Sequence, residues 1–312
     1  MATWRMRAAA VVLCGATGAL VGCFDDAPAA PELTAADEAG FRSIAQVWEL
    51  GNEVNRAEDE LIRRCMVAKG STWRGGYHAE DYVYSPYRGF TVEIAAEYGY
   101  SMLGFSTPES RAFDQADEAE ELAMTEAERA KRDADLHGGP GDTRTVVLDN
   151  GGKITYPAGG CRRHAKEQLY EDPDEAFLRW QALNGFGPDW DEVMASREAR
   201  DVTKRWSECM AAVNLVYAEP GDASYEASEA AETPTFDEEG NQIDSVRRPP
   251  DQKEIATAVA DATCRLETGY DETIGTLLRA AYGREAIARE GDILAVMEIE
   301  TKAQERAKEL LG

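Results

Sequence analysis

Apolar positions recur along most of this chain at helical rather than strand spacing. Leu61, Ile62, Cys65 and Met66 repeat at intervals of three and four, and with the pattern before them they predict helices over 39–50 and 56–69, joined or broken near Gly51-Asn52. Gly70 stands where such a helix ends. An aromatic-rich stretch follows (Trp73, Tyr77, Tyr82, Tyr84, Tyr87, Phe90) and leads into a short helix near 92–98. Its rings suit a ligand groove or, more simply, a loop packed onto a helical core. Residues 115–135, dense in Glu, Ala and Arg, predict one solvated helix. The period then changes: two β-prone runs flank Asn150-Gly151-Gly152, the signature of a hairpin near 144–157. Helical spacing resumes over 159–170, 173–184 and 188–213. Residues 218–250 are acidic and rich in Ala, Ser and Pro, and read as a low-order insertion with room for a small hairpin at "TFDEEGNQI". Asp251 and Glu254 have capping-box spacing and open a helix to about 267, ended by Gly269. A final helix or helix pair covers 271–310. Gly275, Gly283 and Gly291 fall eight residues apart within it, for close helix approach or for a break.

One apolar run obeys neither period. Arg5 and Arg7 precede residues 8–22, which carry no charge. Fifteen residues are too few to cross a hydrocarbon core of roughly 30 Å, but suit a secretory signal. The run ends in Leu20-Val21-Gly22-Cys23, which resembles the bacterial lipobox. That resemblance implies cleavage after residue 22 and a diacylglyceryl group on Cys23; a plain secretory signal cut near Ala29-Ala30 is the alternative. Two acyl chains suffice for stable anchoring. The expected order is thus a signal peptide over 1–22, a lipidated Cys23 with a flexible tether over 23–38, and a body held at the outer, extracytoplasmic face of the cell membrane. No later stretch is apolar for long enough to span it.

Charge narrows the partners. The chain has 59 acidic and 33 basic residues, a formal net charge of −26. That argues against nucleic acid and anionic lipid surfaces. It is compatible with a cationic peptide or protein partner, and more simply with a well-solvated surface.

With Cys14 in the signal and Cys23 lipidated, Cys65, Cys161, Cys209 and Cys264 remain. An even number in an exported chain favours two disulfides, for which three connectivities exist. An internal repeat bears on the choice. "ELIRRCMVAKG" (60–70) and "RWSECMAAVN" (205–214) each place Cys-Met near a helix end, with Gly70 or Asn214 five residues after the cysteine. Each then runs through a polar segment to a Cys-Arg pair, at 161–162 and 264–265. If the repeat is real, bridges close within each unit, Cys65–Cys161 and Cys209–Cys264. Packing of the two Cys-Met helices on each other would instead bring Cys65 beside Cys209.

The segments "RRCMVAKG", "GGCRRHAKEQLY", "RWSECMAAV" and "EIATAVADATCRLETGY" together resemble a family of uncharacterised exported proteins and lipoproteins of actinobacteria. The resemblance covers most of the chain from about residue 57. It implies a mainly helical extracytoplasmic domain and transfers no functional residues. The expected fold class is mainly α: a helical unit over 39–172 and a second over 173–312, each paired through cysteines, packed as one domain with a small hairpin and long polar loops.

Motifs for chemistry are absent. Cys161 and His164 form a CxxH half-site without a second half. "GGKIT" departs from a phosphate loop, and Gly240 is two residues early for a calcium loop starting at Asp237. No GxSxG or HExxH occurs. No catalytic, cofactor-binding or metal site is therefore assigned. His78, His137, Arg162-Arg163 and Arg247-Arg248 have surface solvation as the default reading. The expected function is non-enzymatic binding or interaction at the membrane's outer face. Sequestration of cationic peptides, of the immunity or sensing type, is one alternative. An envelope hydrolase using a carboxylate pair that no motif marks is the other.

Overall fold

The computed structural model describes residues 28–78, 83–85, 87, 89–102, 107–148, 151–236 and 242–312. The protein is mainly α, with twelve α-helices among the described residues. The first half runs α1 (Ala35–Ala68), α2 (Val92–Tyr98), α3 (Pro108–Ala123), α4 (Glu126–His137), a hairpin of β1 (Thr143–Val147) and β2 (Lys153–Pro157), α5 (Gly160–Leu169) and α6 (Pro173–Ala182). The second runs α7 (Trp190–Met194), α8 (Arg197–Ala212), α9 (Pro220–Ala231), a hairpin of β3 (Glu232–Phe236) and β4 (Gln242–Arg247), α10 (Gln252–Thr268), α11 (Tyr270–Ala288) and α12 (Glu290–Leu311). Both hairpins are antiparallel, the first in the register Thr143 to Pro157 and Val147 to Lys153. No described helix is long and apolar enough to cross a membrane.

Local chemistry sets the breaks. Thr34 and Asp37 form a capping box: Thr34 Oγ1 accepts from the Asp37 N–H at 3.1 Å and Asp37 Oδ2 from the Thr34 N–H at 2.9 Å. The first helix therefore starts at residue 35, four earlier than expected. It also runs unbroken through Gly51. A Cβ at Gly51 would come within 3.1 Å of the Trp180 ring, so the glycine provides a flat seat rather than a break. The charged helix expected over 115–135 is two helices, because Thr125 and Glu128 start a new capping box. The helix expected over 188–213 is divided by Ser196, whose hydroxyl caps α8. The last pair separates at Arg289, whose guanidinium hydrogen-bonds the Ala182 carbonyl at the end of α6.

Two expectations are corrected. Within the stretch expected as a low-order insertion, α9 occupies Pro220–Ala231, ahead of the second hairpin for which the sequence left room. Ala223 on α9 is buried in a cluster with Phe90, Tyr100, Ala258 and Ala262. Alanine side chains let this helix sit close, a contact that acidic, alanine-rich composition hides. Residues 35–38, expected within a tether, instead open α1. Pro28 O accepts from the Arg197 N–H at 2.9 Å and the Ala30 N–H donates to Glu198 Oε2 at 2.6 Å, so residues 28–30 lie on the start of α8.

Both within-unit disulfides are present, Cys65–Cys161 and Cys209–Cys264, each with Cα atoms 5.7 Å apart. Sequence separations of 96 and 55 correspond to about 4–5 kcal/mol each in the chain-entropy model. The helices that carry Cys65 and Cys209 end alike. Gly70 and Asn214 adopt φ of 72° and 63°, and the next N–H reaches back to Met66 O at 2.9 Å or Met210 O at 3.0 Å. This is the Schellman ending, formed twice. Cores cross the halves, however: Ala303 and Ala307 of α12 pack with Val54, Leu61, Met66 and Cys161.

At the crossing of α1 and α11, glycine faces glycine. A Cβ on Gly283 would lie 2.0 Å from the Asp37 carbonyl oxygen, and one on Gly40 would lie 2.4 Å from that of Gly283. Gly275 and Gly291 have open space beside them, so of the three spaced glycines only Gly283 mediates close approach. Gly283→Ala should lower the unfolding free energy in urea by about 1–3 kcal/mol. Gly275→Ala should raise it by about 0.5–1 kcal/mol through helix propensity. Equal shifts for the two would show that the crossing tolerates a methyl group.

Candidate functional site

Cys23 and the lipobox lie outside the described residues. The other marked positions are mostly occupied by structural contacts. Trp73 carries the Arg162 guanidinium 5.2 Å above its ring. Arg163 pairs with Glu167 and Asp174 at 2.8 and 2.7 Å, and Arg248 with Asp251 at 3.1 Å. His78 contacts Asp59 at 2.8 Å, and burial lowers the pKa of His137. His164 is exposed, and its CxxH partner Cys161 is in a disulfide. Among the described residues no three His, Cys, Asp or Glu side chains converge as metal ligands. The aromatic stretch lines no single groove. Trp73, Tyr87, Tyr84 and Phe90 enter four different hydrophobic clusters; Tyr82 is outside the described residues.

What the fold does assemble is a cleft of about 400 Å³ between α1, α5 and α6. One face of α1 supplies Trp48, Asn52, Asn55 and Glu58, spaced by three and four. Lys166 and Tyr170 come from the end of α5, and Phe177 and Trp180 from α6. Each wall has a physical support. Asp172 caps α6 by accepting from the Asp174 and Glu175 N–H groups, with Pro173 in the first turn. Phe177 stacks on Tyr156 of the first hairpin, with centroids 4.4 Å apart. The Tyr156 hydroxyl donates to Asp174 at 2.5 Å; burial and that neighbour push its pKa up to about 12. Trp48 and Trp180 are tilted against each other at 5.2 Å.

Two carboxylates lie in or behind this wall. Glu58 lines the cleft and is 9% exposed, while Glu300 of α12 is 1% exposed. Glu300 Oε1 accepts from Trp180 Nε1 at 2.6 Å and from the Tyr170 hydroxyl at 3.1 Å. Burial raises its pKa above the ordinary value and outweighs these two donors, with Glu58 adding in the same direction. Burial likewise raises Glu58, opposed by Lys166 and Arg162 and reinforced by Asp59. A buried carboxylate resists ionisation because low dielectric disfavours its charge.

Comparison with known proteins returned no matching family model, curated protein or solved structure. The site therefore stands on its own geometry. None of its charged residues was singled out from the sequence, yet a signal existed. Glu58 falls on the stripe of Leu61, Ile62, Cys65 and Met66. Glu300 continues the buried positions Ile293, Val296, Ala303 and Ala307. A glutamate in a core stripe is worth pursuing.

A raised carboxyl pKa makes folding less favourable as pH rises from the unfolded value toward the folded one, because the native state holds the proton longer. Glu300→Gln keeps an acceptor for Trp180 and removes that titration. In urea melts its stability relative to wild type should therefore increase across a window that opens near the ordinary carboxyl value of 4.5 and extends upward in pH. A difference constant across that window would mean that Glu300 titrates normally.

Proposed function

We propose that this protein is a lipid-anchored, extracytoplasmic binding protein without catalytic activity, and that its ligand enters the cleft between α1, α5 and α6. The anchoring half rests on the basic start, the short uncharged run and Leu20-Val21-Gly22-Cys23. The resemblance of the cysteine segments to exported actinobacterial proteins is part of the same reading. The binding half is carried by one observation: four aromatic side chains and a largely buried carboxylate line one cleft. Apolar walls with a few placed polar groups are what small-molecule sites are made of.

The same geometry weighs against the carboxylate-pair hydrolase. Glycoside hydrolysis needs both carboxyl groups flanking one bond. Here Glu58 lines the cleft, while Glu300 is behind Trp180 and Tyr170 and hydrogen-bonded to both. The acidic exterior is read as a solvated surface rather than a peptide-binding face, since Lys166 stands in the cleft beside Glu58.

Cys23→Ser should move the protein from the membrane fraction to the soluble fraction after export; persistence in the membrane with the signal removed would overturn the anchor. In a small-molecule screen read by thermal shift, ligands of the cleft should lose their effect in Phe177→Arg, which places a charged chain across the opening. Hits indifferent to that substitution would put binding elsewhere.

A further inference from the structure

The first half of the protein places a carboxyl group and an ammonium on one cleft without a hydrogen bond between them. Glu58 and Lys166 both line the cleft. Among the described residues neither side chain makes a hydrogen bond or a contact ion pair, although Lys166 and Arg162 are near enough to attract Glu58 across space. This is unlike the second half, where the buried Arg265 is held by Asp261 at 2.7 Å and Tyr87 at 3.0 Å, and Asp261 also accepts from Trp206 Nε1 at 2.9 Å. Glu58 is largely buried and Lys166 half-buried; a largely buried carboxyl group without a hydrogen bond is costly, and a pair that served stability alone would have closed. The rings of Trp48, Tyr170, Phe177 and Trp180 line the same cleft.

We infer that the cleft takes a small zwitterion, with its ammonium at Glu58, its carboxylate at Lys166 and an apolar or aromatic body against the rings. Free amino acids and very short peptides have this chemistry. The inference rests on the binding reading and names its ligand class. Each charged end meets a group without a protein hydrogen bond, and charge-assisted hydrogen bonds are the stronger kind. The rings add contact area and an attractive face for the ammonium. A cation alone would satisfy Glu58 but meet repulsion from Lys166, and an anion alone would meet the reverse.

The test uses three probes on the exported full chain: L-phenylalanine, phenethylamine, which keeps only the ammonium, and 3-phenylpropionate, which keeps only the carboxylate. Binding is read by calorimetry and by tryptophan emission, since Trp48 and Trp180 are in the wall. L-Phenylalanine should bind at least about tenfold more tightly than either half, the ratio that one charge-assisted contact produces. Glu58→Gln should weaken L-phenylalanine and phenethylamine by about tenfold and leave 3-phenylpropionate unchanged, and Lys166→Met should do the converse. Equal affinity for the three probes on the wild-type chain would overturn the inference without any variant having to fold. So would a loss in Glu58→Gln that spans all three probes alike. If none of the three binds while other compounds do and are blocked by Phe177→Arg, the zwitterion is wrong and the binding reading stands. If no compound is blocked by Phe177→Arg, both fall.

Discussion

A helix of 34 residues is about 51 Å long, and no single neighbour in this protein can bury it. The rest of the fold follows from covering α1 in series. At its N-terminal end α11 crosses on Gly40 and Gly283, where backbones meet without side chains between them. At its C-terminal end α5 and α12 close over Val54, Leu61, Ile62 and Met66. In the middle Trp180 of α6 rests on Gly51. The cleft opens along residues 48–58, at the place where cover passes from one set of helices to the next. Its position is thus a consequence of helix length as much as of the residues that line it.

The two disulfides set how that cover is held. Cys65 lies two turns beyond Glu58 on α1, and Cys161 opens the helix that carries Lys166. The first bridge therefore fixes the spacing of the two cleft charges while tying down α5. The second does the same for α8 and α10, but there the polar groups close on themselves. Arg265 stacks over Phe90 and Tyr270 and pairs with Asp261, and Asp271 accepts from the Tyr87 hydroxyl and the Phe90 N–H at 2.9 and 3.1 Å. Breaking such a buried pair costs about 3–5 kcal/mol by leaving one charge stranded. The second half thus uses its charges to clasp a loop, and the first leaves Glu58 and Lys166 facing a cleft.

Much of the frame was legible because its causes are local. Helical spacing, Gly70 and Asn214 at left-handed ends, Asn-Gly at a turn and Gly269 after α10 act within a few residues of themselves. Repetition of Cys-Met and Cys-Arg extended this to the disulfides, since equivalent units pair equivalently. Where local signals were incomplete the expectations slipped. Thr125 and Ser196 divide helices that spacing alone joins, and Gly51 does not divide the one it interrupts. The docking of α9 was hidden by alanine, which reads as neutral in composition yet permits close approach.

The sequence by itself determined the helical class, the hairpins' turn residues and the staple pattern. Glu58 and Glu300 stand on apolar stripes, but the sequence reading did not single them out. Only the tertiary structure decided what those charges meet. Glu58 and Lys166 are 108 positions apart, and Trp48 and Trp180 are 132 apart; nothing near any of them in the chain specifies the other. Whether a buried glutamate is held by Trp180 and Tyr170, as Glu300 is, or left open beside a lysine, as Glu58 is, depends on which helices pack against it. Local propensity has no reach over that distance.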